Sequence, residues 1–298
     1  MLRKLLILIL VLVVLFFWYA PLAVEKSENR VVEGPPWHIP EQAQGLHDTL
    51  RVADLHADTL LWNRDFLDRG TRGHVDLPRL QEGNVVLQVM AAVTKTPRNM
   101  NYESNSANAG DNITLLSMAQ LWPPRTWGSL LERAIYQSER LHRAAARSDE
   151  LVIVTDAAQL DAFLQGRSPD QVATILATEG AHPLEGEIAN LGRLWDAGYR
   201  VLGLHHFFDN RLGGSLHGES REGLTDFGKQ VVRTAVDMGF IIDVAHSSPA
   251  SVDQVLALNP NPVIVSHTGI KGTCNSPRNL ADEQMQRIAA AGGLIGIG

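Results

Sequence analysis

Apolar and polar positions along this chain follow two patterns that alternate from about residue 51 to the last residue. Short apolar runs rich in β-branched residues predict buried strands, and the segments between them have the spacing of amphipathic helices. Near-continuous apolar strands that alternate with helices predict a parallel sheet with helices on its faces. The predicted strands are RVADLH, NVVLQVMAAV, QVATILATEG, YRVLGLHH, FIIDVAHSS, NPVIVSHTG and GLIGIG.

The predicted helices lie between these strands, and several end in glycine, as helix C-termini often do. Two stretches depart from the alternation. Residues 97–128 predict a polar excursion followed by a long helix to about Ser148, and ELVIVTDAAQLDAFLQG adds a short strand and a helix. The clearest predicted helices are EIANLGRLWDAG, TDFGKQVVRTAVDMG, SPASVDQVLALN and ADEQMQRIAAAGG.

The N-terminal residues predict a membrane-spanning helix. Two basic residues precede the uncharged run Leu5–Val24, and twenty helical residues span about 30 Å, the thickness of a bilayer core. Trp18 and Tyr19 lie where an aromatic belt would meet the far interface. A cleaved signal peptide is the alternative, but YAPLAVEKS is a poor cleavage site. We predict an uncleaved single-pass anchor over residues 1–24, and both interpretations predict export to the periplasm or the cell exterior.

The rest of the chain divides into a linker and a domain. Residues 25–45 carry charges and prolines without periodicity, which predicts a linker. Residues 46–298 are enough for one large domain with a sizeable core.

Charge and cysteine content narrow the possible functions. A net charge of -7 and the lack of a basic stripe with interleaved aromatics argue against a nucleic-acid surface. Cys274 is the only cysteine, so the sequence excludes an intrachain disulfide and a cysteine-rich metal cluster. Any metal must therefore be bound by histidines and carboxylates.

Five of the predicted strands end in side chains that can bind a metal ion. One histidine at the end of a strand is most often structural, but five such ends along one chain are hard to explain in that way. In a closed parallel barrel, these strand ends converge on one mouth, where catalytic groups of (β/α)8 barrels lie. The residues are His56 and Asp58, Glu179 and His182, His205 and His206, His246, and His267.

The spacing of these residues suits a two-metal site. Alternation along a strand points His56 and Asp58 the same way, so that the pair can bind one divalent ion. A carboxylate has two oxygens, so Glu179 can bridge two ions, and His246 and His267 can bind the second. Two cations on one water lower its pKa and supply hydroxide for attack on a carbonyl. These donors admit zinc, manganese, iron or cobalt.

With these residues in view, the chain resembles the membrane dipeptidase (renal dipeptidase) family, the M19 metallopeptidases of the amidohydrolase superfamily. The resemblance covers about Val52 to the last residue and implies a (β/α)8 TIM-like barrel of the metal-dependent hydrolase type. It rests on ordered motifs, namely DLHADTLLW, ATEGAH, GLHHFFDNRLGGS, LTDFGKQVV, IIDVAHSS and VIVSHTGIKGTCNSPRN.

The resemblance implies roles for single residues. It implies that His206 contacts the substrate and the oxyanion, and that Arg278 receives the terminal carboxylate of the substrate. The implied substrates are dipeptides, often with a D-residue at the C-terminal position, and the family tends to form dimers. The implied zinc ligands are His56 and Asp58 for one ion, His246 and His267 for the other, and Glu179 as the bridge.

One family feature has no counterpart in the sequence. The family has an Asp after the eighth strand that shuttles a proton, whereas GGLIGIG predicts the seventh strand. We therefore expect a barrel that is C-terminally incomplete and, in this form, less stable and less active.

Two other functions stay open at this point. One is a different amidohydrolase that acts on cyclic amides or lactones, and the other is an inactive, anchored binding module. Among the remaining polar residues, Asp54 is expected to orient a ligand imidazole and Asp243 to be structural. Three residues after the VLGLHH strand are candidates for substrate contacts: Asp209, Asn210 and Arg211.

Overall fold

The central sheet contains eight strands in a computed structural model that describes residues 2–32, 34, 38–258, 260 and 262–298. Residues 1, 33, 35–37, 259 and 261, which fall in the predicted anchor, linker, SPASVDQVLALN helix and NPVIVSHTG strand, lie outside the described residues. The strands are β1 (Val52–Ala57), β2 (Val85–Val93), β3 (Leu151–Ile153), β4 (Val172–Glu179), β5 (Tyr199–Gly203), β6 (Ile241–Asp243), β7 (Val263–Thr268) and β8 (Leu294–Ile297).

All strand pairs are parallel, and seven strands follow one hydrogen-bonded path in the order β1-β2-β4-β5-β6-β7-β8. Strand β3 lies off this path and pairs with β4. The path curves into a nearly closed barrel, which confirms the predicted α/β barrel. GLIGIG forms β8, which is the seventh strand on the path, as predicted.

The two faces of the barrel strands bury different apolar clusters. Val89, Ala177 and Val201 belong to one cluster, and their neighbours Met90 and Leu176 belong to a larger cluster that includes the helices. Alternation along a strand explains this division. Because all strands are parallel, their carboxyl ends lie at one rim, which we call the C-terminal rim.

The helices pack outside the barrel or extend from it. Short 3-10 turns at Thr59–Leu61 and His182–Leu184 follow β1 and β4. The helices are α1 (Leu2–Glu28), α2 (Glu41–His47), α3 (Leu77–Glu82), α4 (Asn112–Ala119), α5 (Arg125–Gly128), α6 (Leu130–Ala145), α7 (Ala157–Gly166), α8 (Asn190–Asp196), α9 (Asp226–Met238), α10 (Pro249–Ala257) and α11 (Asp282–Ala290).

Helix α1 has the length and composition of a membrane span. Its apolar window has a mean hydropathy of 2.9, and none of that window is buried. The helix continues beyond Val24, the predicted end of the anchor, to Glu28. The buried Glu25 explains this extension, because its Oε2 accepts a hydrogen bond of 2.7 Å from Arg72 Nη2. The predicted linker therefore begins as helix.

The predicted excursion at 97–128 is tied to the barrel by Arg133 on α6, whose side chain is 1% exposed. Its Nη1 donates to Asp111 Oδ2 at 2.6 Å and to the carbonyl oxygen of Thr94 at 2.7 Å, just beyond the end of β2. Its Nη2 donates to Thr114 Oγ1 at 2.6 Å. One buried cation thus connects the excursion, a helix and the end of a barrel strand.

Candidate metal centre

The first part of the site lies where β1 ends. His56 Nε2 lies 3.2 Å from Asp58 Oδ1 and 3.4 Å from Glu179 Oε1. The structure thus brings together the predicted His-x-Asp pair and the acidic end of β4. Asp54 differs from the expectation: among the described residues its carboxylate accepts from the backbone N–H of His56 and from Gln88 Nε2, and neither donor is an imidazole.

Glu179 is the central residue of the site. Its side chain is 6% exposed, and it shares the barrel face of Ala177. Four imidazoles from four strand ends point their Nε2 atoms at a single oxygen of this carboxylate. The distances to Oε1 are 3.4 Å from His56, 3.3 Å from His206, 3.3 Å from His246 and 3.7 Å from His267.

Two of these imidazoles also lie against each other. His246 Nε2 and His267 Nε2 are 3.0 Å apart. His246 has a positive φ of 62°, a conformation that costs energy in a residue other than glycine and that is found at functional sites. His267 Nδ1 lies 2.9 Å from Ser266 Oγ, which fixes the orientation of the ring.

The charges of the site act in opposite directions on its two carboxyls: the pKa of Asp58 is raised by burial and by the neighbouring Glu179, whereas Glu179 is held ionised. Burial alone would raise the pKa of Glu179, but His206 and His56 outweigh it and hold the pKa well below its usual range. Burial alone would lower the pKa of His56, but the carboxylates of Asp58 and Glu179 raise it well above its ordinary value. The site is therefore a buried cluster in which acidic and imidazole groups depend on each other.

The donor atoms fit divalent metal ions. Within the described residues, Glu179 Oε2, Asp58 Oδ1 and His246 Nδ1 are buried without a hydrogen-bond partner. Buried polar atoms without partners are costly, and a cation in the cluster would satisfy the two carboxylate oxygens, whereas His246 Nδ1 is not the ring nitrogen that faces Glu179. The potential ligand atoms form two groups within 4.8 Å, and Glu179 belongs to both: His56, Glu179 and His267, and Glu179, His206 and His246.

This grouping differs from the implied assignment of ligands to two zinc ions. It places His267 with His56, and His206 with His246, whereas the resemblance assigns His206 to the substrate. The roles of the individual residues therefore stay predictions.

Arg278 lies beside this cluster. Its Nη2 donates to the carbonyl oxygen of His267 at 2.8 Å, and burial lowers the pKa of its guanidinium. Together with His246 and Lys271 it lines a cavity of about 300 Å³ on the β6–β7 side of the C-terminal rim. A guanidinium beside an open cavity suits a carboxylate ligand.

The structure also brings two further histidines to the site. His205 is buried, its Nδ1 lies 2.9 Å from Ser247 Oγ, and burial lowers its pKa to about 4. His217 is buried with its ring stacked on Phe207 and 5.4 Å from the ring of His246. His217 lies in a loop rather than at a strand end, so no local pattern places it there.

A model of the family described as "Membrane dipeptidase (Peptidase family M19)" matches residues 40–298. The chain belongs to the membrane dipeptidase family. This confirms the resemblance that the motifs indicated, and the match includes every predicted site residue from His56 to Arg278.

Known members of the membrane dipeptidase family are distant relatives. Dipeptidase 3 of Mus musculus is 26% identical over 280 residues, which cover 86% of this chain and 48% of that protein. The chain thus spans about half the length of the curated relatives it matches first.

Solved structures show the same fold. The "probable dipeptidase PvdM" of Pseudomonas aeruginosa has a TM-score of 0.69 and 21% identity, over 86% of this chain and 62% of that one. A metallopeptidase of Rhodobacter sphaeroides, solved with a phosphinate mimic of L-Ala-D-Ala, has a TM-score of 0.62 and 22% identity. The similarity covers 84% of this chain and 74% of the Rhodobacter sphaeroides chain.

Proposed function

We propose that this member of the membrane dipeptidase family is a zinc-dependent dipeptidase, anchored by α1 with its catalytic domain exported. The observation that carries the proposal is the convergence of four imidazole Nε2 atoms within 3.7 Å of Glu179 Oε1. The dipeptide mimic bound by the Rhodobacter sphaeroides metallopeptidase supports a dipeptide substrate. The family resemblance also implies tolerance of a D-residue at the C-terminal position of the substrate and formation of a homodimer, and we include both in the proposal.

We assign the metal to His56, Asp58, Glu179, His246 and His267. When bound, divalent ions lower the pKa of water and polarise the scissile carbonyl. The residues of the chain keep the donor set in place: Glu179 is common to both groups of ligand atoms, and Ser266 orients His267. Glu179 stays ionised because the imidazoles hold its pKa low.

His206 and Arg278 are assigned to the substrate. His206 is buried at the end of β5 with its Nε2 facing the cluster, where an N–H can donate to the oxyanion of a tetrahedral intermediate. Arg278 lies on the β6–β7 side, where its guanidinium can bind the C-terminal carboxylate of a dipeptide. In this arrangement the scissile carbonyl would lie between the two side chains.

Replacing Arg278 by Ala tests this arrangement. Because a charge-assisted hydrogen bond is worth about 1.5–3 kcal/mol, we expect kcat/KM for Gly-D-Ala to fall roughly 10- to 100-fold, mainly through KM. Steady-state kinetics of Arg278→Ala measure this, with the exposed Arg233→Ala on α9 as the matched control.

The same variant separates a dipeptidase from an amidohydrolase of cyclic amides or lactones. A neutral cyclic substrate has no carboxylate for Arg278, so its turnover would barely respond to the substitution. If the wild type prefers such substrates and Arg278→Ala leaves their turnover intact, the dipeptidase proposal is wrong. If neither substrate class is turned over, the protein is an anchored binding module.

A further inference from the structure

A second cavity, of about 430 Å³, opens on the β2–β4–β5 side of the C-terminal rim, and we call it the β4 cavity. Its walls come from loops after three neighbouring strands, with Lys95 after β2, His182 after β4, and Phe208 and Arg211 after β5. The cavity that contains Arg278 lies on the β6–β7 side. The two cavities therefore lie on different sides of Glu179.

The two acidic side chains that line the β4 cavity accept hydrogen bonds from backbone N–H groups. Glu185 Oε1 accepts from the N–H of Leu130 at 2.6 Å, at the start of α6. Asp209 accepts with both oxygens, from the N–H of Ser215 at 2.9 Å and from the N–H of Ser220 at 2.8 Å. Each carboxylate thus holds a loop or a helix start in place.

The basic groups of the cavity contact neutral partners. Neither Lys95 nor Arg211 forms an ion pair within the part of the chain that the structure describes. Lys95 Nζ donates to the carbonyl oxygen of Ala107 at 3.1 Å and lies 4.8 Å from the centre of the Phe208 ring. The Arg211 guanidinium lies 5.5 Å from the centre of the Phe227 ring. The cavity wall therefore holds two cations without an ion-pair partner among the described residues, beside two carboxylates that are oriented by backbone amides.

His182 is a third polar group in this wall, and it is 7% exposed. Neither of its ring nitrogens has a hydrogen-bond partner among the described residues. Its ring packs 4.5 Å from that of Phe208. A buried polar group without a partner costs roughly 1–3 kcal/mol, which indicates that a ligand in the cavity completes it.

Two wall residues of the β4 cavity are close to residues of the site. The carbonyl oxygen of Lys95 lies 3.4 Å from His206 Nδ1, and His182 follows Glu179 by only two intervening residues. Because Arg278 lines the cavity on the β6–β7 side, a dipeptide that binds Arg278 and crosses the cluster would extend its N-terminal residue towards the β4 cavity.

We propose that the β4 cavity binds the side chain of the N-terminal residue of the substrate and selects an acidic one, through Lys95, Arg211 and His182. This inference rests on the proposed dipeptidase function. It identifies the substrate class as dipeptides that begin with Glu or Asp. Lys95 and Arg211 supply the charge, and His182 supplies a hydrogen bond that fixes the orientation of the carboxylate.

The test compares kcat/KM for Glu-Ala and Gln-Ala, two substrates that differ in charge at one group. Wild-type protein is expected to prefer Glu-Ala roughly tenfold or more. Lys95→Met should lower this ratio about tenfold, and Lys95→Arg should keep it. Lys229→Met, a surface substitution on α9, is the matched control for loss of one positive charge.

The possible outcomes distinguish an error in the proposed acidic specificity from an error in the proposed dipeptidase function. If Gln-Ala and Glu-Ala are cleaved with equal kcat/KM, or if Lys95→Met leaves the ratio at the wild-type value, the acidic specificity is wrong and the dipeptidase function stands. If the zinc-loaded wild type cleaves no dipeptide, the proposed function fails and the specificity fails with it. Thermal melting of each variant confirms that a changed ratio comes from folded protein.

Discussion

Replacing Glu179 by Gln is expected to lower kcat/KM for dipeptide hydrolysis by roughly three orders of magnitude, because metal ions lower such barriers by several kcal/mol. Glu179 is the only residue common to both groups of ligand atoms, and its Oε1 faces all four imidazoles. In the proposed two-zinc centre, a neutral amide would not balance the charge of the cations, so the variant should also bind less zinc.

Metal content and kinetics together measure this effect. Zinc per chain is determined by atomic emission after dialysis, and turnover is measured on the same samples. Glu187→Gln, at an exposed position in the loop that follows, is the matched control and should behave as wild type. A Glu179→Gln protein with wild-type zinc content and wild-type turnover would show that this carboxylate is not the hub of a metal centre.

Replacing Asp111 by Asn is expected to lower the free energy of unfolding by about 3 kcal/mol, since removing one partner of a buried ion pair leaves an uncompensated charge. Arg133 is 1% exposed, and the Asp111 carboxylate is its anionic partner, with Oδ2 2.6 Å from Nη1. For a chain of this size, the apparent melting temperature should fall on the order of 5–10 °C. Thermal unfolding followed by circular dichroism measures it.

The loss of stability caused by Asp111→Asn is expected to become smaller at low pH. Burial alone would raise the pKa of Asp111, but hydrogen bonds from Thr114 and Arg133 outweigh it and lower the pKa below its ordinary value of 3.8. A depressed pKa gives stability that is present above pH 3.8 and is lost as the pH falls through the folded-state pKa. The stability difference between wild type and Asp111→Asn should therefore narrow below about pH 4. The exposed Asp161→Asn on α7 is the control, and an equal loss in that variant would contradict the account.

The strand ends were the part of the site that the sequence could predict. A polar residue at the end of a buried apolar run stands out locally, and the parallel barrel brings all such ends to one rim. For this reason the sequence alone predicts that four strand-end residues lie close together, namely His56, Glu179, His206 and His246.

Other parts of the structure depend on loops, whose positions no periodicity encodes. Arg133 looks like a surface residue of an amphipathic helix, yet the excursion folds over it and buries it. His217 and Lys95 lie in loop segments, and only the packing of those loops places them beside His246 and His206. Glu25 similarly becomes buried because Arg72, from a distant loop, pairs with it.

The most direct test of the central claim is chelator-sensitive hydrolysis of Gly-D-Ala by the purified protein. The account predicts turnover with bound zinc, loss of that turnover after a chelator removes the metal, and recovery when zinc is added back. Turnover that is unchanged by complete removal of the metal, or no turnover in protein shown to contain zinc, would contradict a metal-dependent dipeptidase.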